Sequence, residues 1–348
     1  MKKVVLLLGL SALLAGLWFF LPKPDPVLVP EAAPATVSPA PVVGDATNEQ
    51  AAKPSISVTE KIPEPVSDSF KLLASAYAAE LELPPYSRPL SADDEHLLNP
   101  NRYIPQSVPL EGGASATIVL PKYRFSYPEA VPVTLEITGL QVFDVSVQLI
   151  AEGAADSSEA VDMRGTPERY TATLEAEEQW NGAFEVQVSF SANGTAVVVK
   201  TGIEYHNPVA TIVGIADSLG VGADMQIPVQ LEVKQAGYYR LRANLFTEQR
   251  QPLALLTATE KLGSGKQEIT LRAFKAVLRK NSGPFVLGSF VLEKRPAVPG
   301  ELTLYGDSEQ AEYQLAPFSL NQLSDEPWQP DEQERLRLQF LQQMAGEQ

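Results

Sequence analysis

Beyond residue 112 the apolar positions of the chain recur every second residue. Val133, Leu135 and Ile137 alternate with Thr134 and Glu136, and Phe143, Val145, Val147 and Leu149 alternate with Asp144, Ser146 and Gln148. A strand points successive side chains to opposite faces, so this pattern predicts strands with one dry and one wet face. Tyr170, Ala172 and Leu174 continue it, followed by Phe184, Val186, Val188 and Phe190; Asn193-Gly194 supplies a hairpin turn into Val197, Val199 and Ile203. The count and spacing of these strands predict a first sandwich over 112–206.

A second set follows His206-Asn207-Pro208. It comprises Val229 to Val233, Tyr239 to Leu245, Leu253 to Thr259, Ile269 and Leu271, Phe285 to Leu292, Leu302 to Tyr305 and Tyr313 to Leu315. The predicted fold class is therefore mainly β, with two tandem Ig-like antiparallel β-sandwich domains, the second over 207–320, and short flanking helices.

The period changes at both ends of this region. Phe70, Leu73, Tyr77 and Leu81 lie at helical spacing before Pro84-Pro85, and Ser91 followed by Asp93, Asp94 and Glu95 reads as a capped helix start. Residues 67–111 are thus expected to be short helices and an extended segment packing on the first sandwich. After Pro327-Trp328-Gln329-Pro330, Asp331 and Glu332 open a C-terminal helix within 321–348, carrying Leu336, Phe340, Leu341 and Met344.

The N-terminal stretch follows neither pattern. Lys2 and Lys3 precede an uncharged run from Val4 to Leu21, which as a helix spans about 27 Å, close to a hydrocarbon core. Residues 1–21 are expected to be a transmembrane signal anchor crossing the bacterial inner membrane through 4–21, with the C-terminal region in the periplasm. The competing reading is a cleaved signal peptide and a secreted protein, but Trp18-Phe19-Phe20-Leu21-Pro22 is bulky where a peptidase needs small residues. Residues 22–66 are rich in Pro and Ala, which denies them a core and predicts a disordered linker.

Charge and composition narrow the partners. A formal charge of −16 repels phosphate backbones, so no nucleic acid is expected. Without cysteine there is neither disulfide nor thiolate, and His96 and His206 alone cannot build a multi-histidine metal centre. Both histidines read as structural or solvent-facing, with His206 placed to sense envelope pH at the joint between sandwiches. Gly263-Ser264-Gly265-Lys266 lies between strands and reads as a hairpin turn, not a phosphate loop; no Gly-x-Ser-x-Gly elbow occurs. No enzyme activity, metal or cofactor is expected, although 43 acidic residues allow a carboxylate pair that nothing marks.

What is left is binding. Trp180 in the Gln179-Trp180-Asn181-Gly182 turn, Tyr238, Trp328 between prolines, and Phe340 are the candidate ligand or partner contacts. They point to an envelope or exported protein as partner, in a scaffold, chaperone-like or assembly role; the alternative is a glycan or cell-wall polymer stacked on Trp180 and the tyrosines.

One stretch resembles a known kind of domain. Gly237-Tyr238-Tyr239-Arg240-Leu241, Ala243-Asn244-Leu245, Pro252-Leu253-Ala254, Leu262 with Gly265, Ile269 with Leu271, and Gly283-Pro284-Phe285 resemble the C-terminal Ig-like domain of uncharacterised bacterial exported proteins, over about residues 237–292. Gln249-Arg250-Gln251 stands where that family has a Gly-containing turn. The resemblance implies fold and compartment and carries no catalytic residues.

Overall fold

The structure, a computed structural model, describes residues 64–151 and 158–346, all within one compact unit. The expected anchor and nearly all of the expected linker lie outside the described residues. Among the described residues no helix is long and apolar enough to cross a membrane.

The chain enters through helix α1 (Glu64–Glu80), crosses β1 (Ser87–Pro89) and the one-turn helix α2 (Glu95–Leu98), and then builds β2 (Ser107–Pro109), β3 (Ser115–Val119), β4 (Arg124–Ser126), β5 (Val131–Thr138), β6 (Val142–Ala151), β7 (Val161–Asp162), β8 (Arg164–Thr166), β9 (Arg169–Leu174), β10 (Gly182–Ala192) and β11 (Thr195–His206). It continues through β12 (Ala210–Ile215), β13 (Leu219–Val221), β14 (Asp224–Val233), β15 (Gly237–Thr247), β16 (Pro252–Leu262), β17 (Gly265–Phe274), β18 (Phe285–Lys294), β19 (Leu304–Tyr305), β20 (Asp307–Ser308) and β21 (Glu312–Gln314), and ends in α3 (Glu332–Met344). The molecule is mainly β.

Two pairs of sheets each enclose a core. In the first, the sheet β2-β3-β5-β9-β8 faces β4-β11-β10-β6-β7, and the alternating residues of both, such as Val133, Leu135, Val147, Val186 and Ile203, are buried together. In the second, β13-β14-β12-β20 with β17 faces β1-β16-β15-β18-β19 with β21, burying residues such as Ile212, Leu231, Leu241, Leu256 and Leu287. Pairing is antiparallel throughout except for β4 with β11 and β12 with β20, which are parallel. Asn193 and Gly194 both take positive φ, as the two-residue turn between β10 and β11 requires.

Two expectations for residues 67–111 are corrected. Ser91 does not cap α2; its backbone N–H and hydroxyl instead donate to the Asp94 carboxylate, each at 2.8 Å. These bonds hold the Asp94 carboxyl below the usual range. Nor does the N-terminal part of the segment pack on the first core. β1 pairs with β16, Ser87 Oγ accepts from Phe274 N at 3.0 Å, and Leu90 N donates to Leu253 O at 3.0 Å. Further along, Leu97 O and Leu98 O accept from the side chains of Asn244 and Ser289. From β1 onward the chain therefore starts on the second core, leaves to build the first, and returns. Only after α2 does it reach the first core, where Asn101 pairs with the backbone of Arg124 as an extra strand residue would, with Oδ1 accepting at 2.6 Å and Nδ2 donating at 2.8 Å.

Gly306 sits between β19 and β20, pressed against β12 and β18 of the second core. A Cβ there would lie 2.6 Å from Ala210 O and 2.5 Å from Leu292 Cδ2. The leucine can turn aside but the carbonyl cannot. Gly306→Ala is expected to lower unfolding stability by about 1–3 kcal/mol, measured by urea denaturation, with the midpoint moving and the slope unchanged.

Candidate functional site

Polar side chains gather where the two cores meet. Parallel pairing sets Arg124 against Glu204, and Ser126 against His206. Arg124 Nε donates to Glu204 Oε2 at 2.8 Å, and its guanidinium lies 3.8 Å from the ring centre of Tyr305, which comes from the second sheet pair. Ser126 donates a hydrogen bond to the Asp307 carboxylate, also from the second pair. Beyond Tyr305 the line of charge continues: Glu293, its neighbour across the β18–β19 ladder, accepts from Arg240 Nε at 2.8 Å and from Arg242 at 3.3 Å.

Ser126, His206 and Asp307 are the residue types of a hydrolytic triad, and the fold brings them together. Their geometry is not a relay. The serine donates directly to the aspartate, and neither imidazole nitrogen of the buried His206 is hydrogen-bonded to either of them. A nucleophile needs its base within hydrogen-bond reach, and here the aspartate occupies that place. Burial first, then the Arg124 charge, pushes the His206 imidazole down to about 4, against smaller opposing effects of Asp307 and the Gly306 backbone; Lys122 lowers it further.

An open cleft of about 860 Å³ borders this joint, lined by Asn101, Arg102, Lys122, Phe290, Asp307 and Glu312 among others. Its charged groups are largely committed: Arg102 to Glu95, Lys122 to Glu129, Asp307 to Ser126 and Glu312 to Arg250. Among the described residues no cluster of three or more metal-ligating side chains occurs.

The four aromatic candidates are not brought to one place. Trp180 is only 5% exposed, packed edge-on to Tyr205 at 5.3 Å and against Phe184 at 5.9 Å. It is a core residue, and the expectation that it stacks on a ligand is corrected; its turn looks open in sequence because the rings that cover it come from later strands. Tyr238 is 55% exposed on the outer face of β15, with Lys261 Nζ at 5.8 Å from its ring. Phe340 is 56% exposed on α3. Trp328 is half-buried, edge-on to Tyr86 at 5.7 Å.

α3 opens with a capping box between Asp331 and Glu334 and packs against α1. The small residues Ala74 and Ala345 are buried there, and Ser67 Oγ donates to Ala345 O at 2.8 Å. Away from this contact the pair leaves Leu72, Leu73, Leu336 and Phe340 exposed, Leu72 at 74%. Of the face that sequence periodicity marks, Phe70 and Tyr77 are half-buried on either side of the buried Ala74, but Leu73 is exposed.

No family model matches the chain, and no curated protein matches it. Solved structures with a similar arrangement include a DUF4785 family protein from Legionella pneumophila, at 17% identity and a TM-score of 0.41 over 60% of this chain and 57% of that one. A tetra-tandem repeat from the extending region of a large adhesion protein matches at 10% identity and a TM-score of 0.24, over 60% of this chain and 55% of that one. Salmonella alpha-2-macroglobulin matches at 10% identity and a TM-score of 0.29, over 68% of this chain and 16% of that one. These likenesses are too remote to bear on function.

The buried imidazole makes the joint sensitive to acid. Its folded pKa, about 4, lies below the unfolded value of about 6.5, so the neutral ring's contribution is fully present above pH ~6.5 and is lost as pH falls toward ~4. The loss amounts to on the order of 3 kcal/mol. His206→Phe is expected to remove that part of the acid destabilisation, read as the difference between the two proteins' urea-denaturation stabilities across a pH series.

Proposed function

We propose that the chain is a non-enzymatic interaction module: a scaffold or assembly accessory, tethered to the inner membrane through residues 4–21, that engages another exported protein in the periplasm. The observation that carries this reading is the two-helix unit, which offers Leu72, Leu73, Leu336 and Phe340 to solvent. Contiguous exposed apolar surface marks contact sites in stable proteins, and these four side chains share one pair of packed helices. The charged groups at the joint, in contrast, are largely spent on one another. The tether and the compartment are supported by Lys2 and Lys3 ahead of the apolar run and by the proline-rich stretch after it. The Ig-like reading of the second sheet pair is supported by the Tyr239 hydroxyl, which donates to Gln235 O four residues upstream at 2.6 Å, a bond of the kind found at Ig-like corners. A glycan-binding role loses its main support with Trp180 in the core.

A photo-crosslinking residue placed at Leu72 or at Phe340 in the full chain, in living cells, is expected to yield discrete protein adducts. The same residue at Glu232, exposed on β14, is expected to yield none. Equal labelling at all three positions, or none at either helix position, counts against the proposal.

A further inference from the structure

The outer face of the sheet formed by β16, β15 and β18 is covered at one end and open at the other. The cover is the chain around α2, whose carbonyls at Leu97 and Leu98 accept from the side chains of Asn244 and Ser289. Asn244 is fully buried there. Toward the start of β15 the face is open. Register sets Arg242 beside Thr257 and Val291, Arg240 beside Thr259 and Glu293, and Tyr238 beside Lys261. Arg295 continues the ladder, its amide donating to Tyr238 O at 2.8 Å.

The open end is cationic, in a chain whose formal charge is −16. Its cations are Arg240, Arg242, Lys261 and Arg295, and the acid among them is Glu293, only 7% exposed. Both oxygens of that carboxylate are taken, Oε2 by Arg240 Nε at 2.8 Å and Oε1 by Arg242 Nη2 at 3.3 Å. One acid between two guanidiniums leaves a positive charge uncompensated. The Nη1 group of each arginine has no hydrogen-bond partner among the described residues, although both side chains reach solvent. Lys261 meets only the Tyr238 ring. The hydroxyls of Tyr238, Thr257 and Thr259 are likewise unpartnered among the described residues. Glu260 does not relieve the charge, since it is turned to the other sheet and accepts from Thr270 N at 3.3 Å. Arg124, beyond Glu293 and Tyr305, is neutralised by Glu204.

We propose that this face binds an extended acidic segment of an exported protein, a second contact surface that rests on the interaction-module reading and names the chemistry of one partner. Charge complementarity selects the acid. Spacing selects the extended conformation: Tyr238, Arg240 and Arg242 stand at every second residue of β15, roughly 6–7 Å apart. Alternate side chains of an extended peptide share one face at the same interval. A segment with glutamate at every second position, laid along β15, sets successive carboxylates against Lys261, Arg240 and Arg242. The two free Nη1 groups supply charge-assisted hydrogen bonds, and Thr259 and Thr257 flank the arginines with hydroxyl donors. A phosphate chain carries its charges one bridging oxygen apart, too close for these rows. The overall negative charge of the protein opposes the ligand weakly, because screening acts beyond about 8 Å at physiological salt.

The test is fluorescence anisotropy of the full chain in detergent against a dye-labelled, capped decapeptide of alternating glutamate and threonine. One control replaces every glutamate by glutamine, and another gathers the same glutamates into one block. Saturable binding of the alternating peptide is expected, weaker binding of the block peptide, and none of the glutamine peptide. Lys261→Glu and Arg295→Glu, both at exposed side chains, are each expected to weaken binding about tenfold. Lys266→Glu, the same charge change at an exposed residue of β17 in the opposite sheet, is expected to leave it unchanged. Thermal melts check that the variants fold. Any of four results overturns the proposal: no saturable binding, equal binding of either control peptide, equal weakening by Lys266→Glu, or displacement by tripolyphosphate as effective as by unlabelled peptide. Protein adducts at Phe340 in cells, persisting beside such a result, would show that the assignment of this face failed and the interaction-module reading did not.

Discussion

The pairing of β1 with β16 is the constraint on which the rest of the arrangement depends. Three residues ahead of the first core are hydrogen-bonded into a sheet of the second, so the chain crosses between the two cores on its way out as well as on its way back. The return crossing carries the parallel β4–β11 ladder, Arg124 between Glu204 and Tyr305, and Ser126 on Asp307. Relative motion of the cores would have to break one crossing or the other. A single flexible joint after His206 is not what the chain builds.

The same constraint positions the surfaces. Because β1 is fixed to the second core, the segment before it runs past Tyr86 and Pro84-Pro85 back to α1, and α3 finds α1 there as its partner. Trp328 reaches Tyr86 only because β1 holds Tyr86 in place. The helix pair that exposes the apolar residues thus lies six residues from a strand of the second core rather than on a loose tail. A site carried on rigid elements loses less freedom on binding.

Strand alternation was legible in the sequence wherever a strand was long enough to repeat it. Val133, Leu135 and Ile137, or Tyr239, Leu241, Ala243 and Leu245, announce their buried faces without help. Ser87–Pro89 does not: three residues with one buried side chain show no period, and its Oγ–N bond to Phe274 joins positions 187 residues apart. The Ser91 cap failed for a local reason, since Asp94 is itself a good acceptor and the helix begins after it. The polar joint was invisible because Arg124, Tyr305 and Asp307 each fit an ordinary strand or turn position, and only parallel pairing across distant segments brings them together. The aromatic residues divide by the same logic. Phe340 is exposed as its surroundings suggest, whereas the rings that cover Trp180 and support Trp328 lie four or more residues away, Tyr86 from the opposite end of the described chain.

Hydrogen–deuterium exchange across residues 86–90 tests the central claim most directly. The Leu90 amide, bonded to Leu253 O, and the Thr257 amide, bonded to Tyr86 O, are predicted to exchange as slowly as the amides of β15 and β16 in the second core. Exchange at Leu90 as fast as at an exposed turn, with β15 and β16 still protected, would mean that β1 is not part of that sheet, and the double crossing would fall with it.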